Sequence, residues 1–133
     1  MATTTATLTL SSADLSSQPL SITSTMALYK AGTTVGLDQT TGLAKKVYAA
    51  AQASATLVSA ADYADNTHAK VYIKNPGAST TDYFTLEYGA SNIVIGRLYG
   101  GDFIFMPYEG EQDLDISSST TSMELEFMVI NEG

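Results

Sequence analysis

The 133-residue sequence contains no cysteine and no tryptophan, and His68 is its one histidine. Without cysteine the chain has no disulfide and no thiolate metal ligand, so its stability must come from packing or from association between subunits. One histidine with no cysteine cannot form a cysteine–histidine nucleophilic pair or a zinc site of the usual kind. These absences predict a protein that is not an enzyme and has no cofactor, and they suit assembly in a reducing cytosol.

Long hydrophobic runs are also missing. No apolar stretch approaches the roughly 20 residues that a helix needs to cross a bilayer. Residues 1–5 show neither a basic start nor an apolar block. The sequence therefore predicts no signal peptide and no membrane partner, and its length predicts a single domain over residues 1–133.

Basic residues are few and unevenly placed. The chain has six lysines and arginines against 14 acids, for a formal net charge of −8, and all six bases lie at or before Arg97. From Asp102 to Glu132 every charged residue is an acid. Because a negative field repels phosphate backbones, we predict no nucleic-acid partner.

Apolar and polar residues alternate in many short segments, which is the pattern of half-buried β-strands. In the first half of the chain these segments are 6–10, 20–28 and 56–58, and residues 43–55 indicate a strand followed by a loop. From His68 onward they are 70–74, 83–88, 93–96, 103–106, 114–116 and 123–129. Strands this short, separated by turn sequences, predict an all-β fold.

Two segments give more specific predictions. Asn75-Pro76-Gly77 is a turn sequence, so we expect a hairpin between the strands on either side of it. Residues 103–106 are apolar on both faces, which indicates a central strand between two layers. The fold class predicted is a single-domain antiparallel β-sandwich of jelly-roll-like form, with an extended Thr-rich N-terminal arm over residues 1–10.

The acids of the C-terminal third offer one alternative chemistry. Glu111, Asp113 and Asp115 alternate and would share one face of an extended strand, and with Asp102 and Glu109 they offer oxygen ligands for Ca²⁺. Their spacing matches no EF-hand loop, and a solvated edge that discourages strand pairing is the preferred interpretation, so no metal site is predicted. Two such acids would also be needed for a small glycan-cleaving enzyme.

Four blocks carry a resemblance to a known class of proteins. The blocks are LYKAGTTVGLDQTTGL at 28–43, VYIKN at 71–75, IGRLYGGDF at 95–103 and MELEFMVI at 123–130. They resemble segments of small structural virion proteins of tailed bacteriophages, most of all capsid decoration (cement) proteins. The similarity runs from about Leu8 to Ile130.

The resemblance implies a role and a set of partners. It implies a non-enzymatic protein that binds the outside of the capsid shell and stabilises it by bridging capsid subunits. The implied partners are the major capsid protein and further copies of the chain, commonly as a homotrimer. The implied location is the capsid surface of the virion, after assembly in the host bacterial cytoplasm. A tail, baseplate or fibre-associated module, including one that binds glycans through exposed tyrosines, is the alternative.

Two segments are the predicted contact regions. The uncharged arm can add a strand to the edge of a neighbour's sheet, and the segment from Phe103 to Tyr108 offers aromatic contact area. The residues predicted to contact the capsid or a neighbouring subunit are Thr7, Leu8, Leu10, Phe103, Phe105 and Tyr108.

Overall fold

The computed structural model describes residues 3–37, 39–63 and 68–132, and its regular elements are β-strands apart from one short 3₁₀ turn, Ala60–Asp62. The all-β prediction is thereby confirmed. The strands are β1 (Thr5–Ser12), β2 (Leu20–Ala27), β3 (Gln39–Thr40), β4 (Ala44–Tyr48), β5 (Ala55–Val58), β6 (His68–Lys74), β7 (Tyr83–Tyr88), β8 (Ile93–Tyr99), β9 (Phe103–Glu109), β10 (Leu114–Ser118) and β11 (Met123–Asn131).

The chain divides into two compact units. The first is Met1–Asp38 with Glu132, and the second is Gln39–Asn131 with Gly133. This division differs from the predicted single domain with an arm over residues 1–10, because β1 is not a lone arm. It is the first strand of a hairpin, and Met1 and Ala2 lie outside the described residues.

The hairpin of the first unit, called the ribbon below, is formed by β1 and β2. Its antiparallel register is unbroken from Thr5 opposite Ala27 to Ser12 opposite Leu20. Alternating Thr and apolar residues favour this extended backbone, since β-branched side chains fit a pleated surface. The loop between the strands begins at Ser12, whose hydroxyl oxygen accepts the N–H of Leu15 at 3.0 Å.

The second unit is a sandwich of two antiparallel sheets. One sheet has the order β3-β11-β6-β9, with β4 also paired to β11, and the other has the order β5-β10-β7-β8. The predicted β-sandwich is confirmed. Apart from the β7–β8 hairpin, each connection from β4 to β11 crosses between the two sheets.

The core lies between the two sheets and is built from alternate residues of their strands. Phe84 and Leu86 enter it from one sheet, and Val71, Ile73 and Leu125 enter it from the other. Successive side chains of a strand point to opposite faces, so the alternation in the sequence is what places these residues together. The rings of Tyr48 and Phe84 meet across the core with centroids 6.0 Å apart.

The predicted hairpin at Asn75-Pro76-Gly77 is wrong, because β6 and β7 belong to different sheets. The turn instead starts a connection that docks on the β8–β9 turn. Asn75 is buried, its N–H donates to the Asp102 carbonyl at 2.9 Å, and its side-chain amide donates to the Leu98 carbonyl at 3.0 Å. These long-range bonds take the place of a local hairpin ladder.

The prediction that residues 103–106 form a central strand is also wrong, since β9 is the outermost strand of its sheet. Ile104 and Met106 pack against the core. Phe103 and Phe105 alternate with them and lie on the outer face, where Phe105 is directly opposite Tyr72 of β6. The inner face of the strand is apolar because it contacts the core, and the outer face is apolar because it carries an aromatic cluster. By contrast, the strand followed by a loop predicted for 43–55 is confirmed as β4 and the loop after it.

Candidate functional site: exposed apolar surfaces of the two units

The ribbon has two chemically different faces. Residues directly opposite each other in an antiparallel pair share a face, so the register sorts the side chains. One face carries the apolar residues together with Ser12 and Ser24, and the other carries threonines and serines with only Ala27 among them. The apolar residues, called the apolar ribbon face below, are Ala6, Leu8, Leu10, Leu20, Ile22 and Met26.

The apolar ribbon face is open. Leu8, Leu10, Ile22 and Met26 are each between 42% and 47% exposed, and within the described residues β1 and β2 pair only with each other. An isolated two-stranded hairpin is marginally stable in water, and both of its outer edges present unpaired backbone groups. Asp14 is the one charged residue between Thr3 and Tyr29. The ribbon thus has the properties of a surface that another protein covers.

The structure separates the three contact residues predicted in this segment. Leu8 and Leu10 lie on the apolar ribbon face. Thr7 lies on the hydroxyl face, where its Oγ1 is 3.0 Å from Oγ1 of Thr25. Sequence reasoning missed the contribution of Ile22 and Met26, although their alternation was visible, because only the strand register shows that they share a face with the leucines.

A second exposed surface lies on the outer face of the β11-β6-β9 part of the sandwich. Tyr72, Phe103, Phe105 and Met128, called the aromatic face below, are neighbours through the register of these strands. Phe103 is 57% exposed, and its ring centroid lies 6.5 Å from that of Tyr72. The structure therefore brings the predicted contact residues Phe103 and Phe105 together on one face.

Tyr108 is a core residue and is not available as a surface contact. It is 5% exposed, its ring packs edge-on against Tyr63 with centroids 5.8 Å apart, and its hydroxyl donates to the Gln112 carbonyl at 2.8 Å. Side chains of a strand alternate between its two faces, so Tyr108 lies on the inner face with Ile104 and Met106, whereas Phe103 lies on the outer face. Its predicted contact role is accordingly withdrawn.

The buried phenol of Tyr108 gives a prediction for alkaline pH. Burial, with a further contribution from the charge of Asp113, raises the pKa of Tyr108 to about 12. The unfolded chain loses the phenolic proton near pH 10. Between about pH 10 and pH 12 the folded state therefore binds more protons than the unfolded state, and its free energy of unfolding falls as the pH rises.

Tyr108→Phe is expected to flatten this alkaline decline, because it removes the ionisable group. At neutral pH the variant should be less stable by about 1 kcal/mol, since it lacks the hydrogen bond to Gln112. Urea unfolding at a series of alkaline pH values measures both effects. Tyr29→Phe, at an exposed tyrosine, is the control, and parallel declines in the two variants would contradict the assignment.

A third exposed surface is the β8 edge, defined by Ile93, Val94 and Ile95 at the start of that outermost strand. Three other outer strands of the sandwich carry features that discourage pairing with another chain. These features are the four-residue length of β5, Lys45 and Lys46 in β4, and Pro107 in β9. On β8 the feature that discourages pairing is an irregularity in register at Ile95, which lies between the pairs Leu86–Gly96 and Glu87–Val94.

The acids predicted as an alternating row do not form one. Glu111 and Asp113 lie in the turn before β10, and Asp115 lies within β10. Asp113 Oδ1 accepts the N–H of Ala60 at 2.7 Å, so it serves as a backbone cap. Across residues 3–37, 39–63 and 68–132, no three His, Cys, Asp or Glu side chains converge as a metal site.

Comparison with protein-family models, with curated proteins and with solved structures found no match to this chain. Among the described residues no helix has the length and apolar character needed to cross a membrane.

Proposed function

We propose that this protein is a non-enzymatic structural protein of a tailed-phage particle, which binds the outside of the capsid shell as a decoration protein and bridges capsid subunits. The observation that carries the proposal is the apolar ribbon face, an uncharged and exposed surface built on a pair of strands. The sequence resemblance to virion proteins supports the same role. A β-sandwich whose conspicuous surfaces are apolar fits a binding function.

The ribbon suits attachment to a lattice of capsid subunits for two reasons. Its outer edges can extend a neighbour's sheet through backbone hydrogen bonds, and Leu8, Leu10 and Ile22 can fill apolar depressions beside that edge. A shell presents many equivalent sites, so several weak contacts per particle or per oligomer gain strength through avidity. The major capsid protein is the proposed partner.

We place self-association, as a trimer, at the sandwich. A chain with a net charge of −8 repels its copies, so copies meet most easily on surfaces with few charges. The β8 edge meets this condition: Arg97 is the one charged residue in the strand, and its guanidinium lies over the Tyr83 ring at 4.3 Å from the centroid. Sedimentation equilibrium of the purified protein tests whether the chain forms a trimer, and a monomer at every concentration would contradict self-association.

The location is tested by counting copies. Mass spectrometry of purified particles, with this chain quantified against the major capsid protein, should give a copy number in the range of the capsid subunits. A handful of copies would move the protein to the tail or baseplate. Absence from the particle would remove the virion role altogether.

The attachment surface is tested by a double substitution, Leu10→Ser with Ile22→Ser, at a directly opposite pair on the apolar ribbon face. Burying a leucine or isoleucine contributes about 1.5–3 kcal/mol, so loss of both is expected to weaken binding to expanded shells by about 100-fold or more. Co-sedimentation with shells measures the change.

The matched control is Thr9→Ser with Thr23→Ser, the neighbouring opposite pair on the hydroxyl face. It alters the same strands at the same depth of the ribbon and should bind as the unaltered protein does. Equal binding by the two double variants would show that the apolar ribbon face does not dock on the shell.

A glycan-binding tail or fibre module is the second candidate, and one observation favours it. Tyr83 and Tyr99 are cross-strand partners with ring centroids 5.2 Å apart, and Arg97 stacks on Tyr83. Aromatic faces beside a guanidinium suit a sugar ring and its hydroxyls. This role predicts few copies per particle and retention that free sugar abolishes, whereas decoration predicts many copies and no effect of sugar.

A further inference from the structure

A pair of buried carboxylates lies in the sheet formed by β5, β10, β7 and β8. Glu87 of β7 and Asp115 of β10 are directly opposite each other in the antiparallel register. Both side chains belong to the outer face, because Leu86, Leu114 and Ile116, which alternate with them, are core residues. Opposite residues have Cβ atoms about 5 Å apart, so the two carboxylates are close neighbours.

Hydroxyl groups surround this pair. Glu87 accepts hydrogen bonds at both oxygens, from Ser54 Oγ at 2.6 Å and from Ser117 Oγ at 2.8 Å. Thr56 of β5 is opposite Asp115 on its other side. Five oxygen-bearing side chains from β5, β10, β7 and the residue before β5 are thus gathered on one face of the sheet.

Asp115 is the unusual member of the group. It is 8% exposed, and its Oδ1 atom is buried without a hydrogen-bond partner. Glu87 is 7% exposed. Within the part of the chain that the structure describes, neither carboxylate forms an ion pair with a lysine or arginine. Burial of two like charges side by side, one with an unsatisfied oxygen, is unfavourable unless something else neutralises them.

From this arrangement we infer that Glu87 and Asp115 form a Ca²⁺ site, with the hydroxyls of Ser54, Thr56 and Ser117 beside them. The donors are all oxygens, which suit a hard cation, and none of these five described side chains offers a nitrogen or sulfur ligand that would favour zinc or copper. Ca²⁺ accepts carboxylate and hydroxyl oxygens in irregular geometry, whereas Mg²⁺ demands a near-ideal octahedron. Water completes the shell.

The inference is independent of the proposed function, because it concerns the sandwich itself. A cation at this position would join β7 to β10 and, through Ser54 and Thr56, to β5. The sequence suggested the acids of residues 102–115 as candidate ligands. The structure selects one of them, Asp115, and supplies the second carboxylate from Glu87, which is 28 residues away in the chain.

Thermal unfolding of the full chain, after treatment with a chelator, tests the site. Addition of CaCl₂ to about ten times the dissociation constant is expected to raise the Tm by about 3–5 °C. MgCl₂ at the same ionic strength should raise it far less. Isothermal titration calorimetry with CaCl₂ should show one site per chain.

Two variants separate a site from general screening of negative charge. Asp115→Asn keeps the shape of the side chain, and it should abolish the calcium response while being at least as stable as the unaltered protein in chelator. Glu111→Gln removes one exposed charge outside the pair and should retain the full response.

Any of three results would overturn the inference. These are no calcium response in the unaltered protein, an equal response to magnesium, or an equal response in Asp115→Asn and Glu111→Gln. If Asp115→Asn does not fold, Glu87→Gln provides the same test from the other side of the pair, and the calorimetric titration of the unaltered protein does not depend on either variant.

Discussion

Phe84→Ala is expected to lower the free energy of unfolding by about 4 kcal/mol, the largest loss we predict for a single substitution in this chain. The Phe84 side chain is fully buried at 0% exposure, in a strand at the interior of its sheet. It contacts the opposite sheet, where the Tyr48 ring lies 6.0 Å away between centroids. Removal of the ring leaves a cavity between the two sheets, and the backbone hydrogen bonds within each sheet resist the movement that would fill it. Urea unfolding followed by circular dichroism measures the loss.

Phe103→Ala is the matched control, because it removes the same ring from an exposed position. We expect it to cost less than about 1 kcal/mol. The difference between the two variants is therefore the contribution of burial in the core. Similar losses in both variants would mean that the two sheets do not pack around the Phe84 ring.

Gly100→Ala is expected to destabilise the protein by about 3 kcal/mol, the second largest effect. A Cβ at this position would lie 2.6 Å from the Ser79 carbonyl oxygen and 2.8 Å from the Gly77 carbonyl oxygen. Both are backbone atoms and cannot rotate away. The Gly100 N–H also donates to the Ser79 carbonyl at 3.0 Å, so a shift that relieves the clash breaks the contact between the β6–β7 and β8–β9 connections.

Gly96→Ala provides the control at a glycine of the preceding strand, where an added Cβ would meet nothing within 4 Å. This substitution should change the stability by less than about 0.5 kcal/mol or raise it slightly. Thermal unfolding of the two variants side by side makes the comparison. A Gly100→Ala protein as stable as Gly96→Ala would contradict the close approach of the two connections.

The positions of the strands were predictable because alternation is a local signal. The segment 83–88 coincides with β7, and 70–74 and 123–129 lie within β6 and β11. The threonine and apolar alternation around Leu8 likewise matches β1. A strand can be recognised from its own sequence, because its side chains point alternately to an apolar and to a polar environment. No partner strand needs to be known for this inference.

The pairing of the strands was not predictable in the same way. The turn at Asn75 looks like a hairpin turn in sequence, yet it leads to the other sheet because its backbone and amide bond to residues about 25 positions away. Residues 103–106 look like a central strand because both of their faces are apolar. The same pattern also arises when one face contacts the core and the other carries an exposed apolar cluster. Only the neighbouring strands distinguish these cases.

The same limit applies to the candidate sites. The sequence alone predicts an all-β scaffold, an uncharged first segment, an acidic final third and a set of apolar residues suited to contact with another protein. The tertiary structure decided that Leu10 shares a face with Ile22, that Tyr108 is buried, and that Glu87 lies opposite Asp115. The physical reason is that side-chain direction is set within a strand, whereas neighbours across a sheet are set by backbone pairing between distant segments.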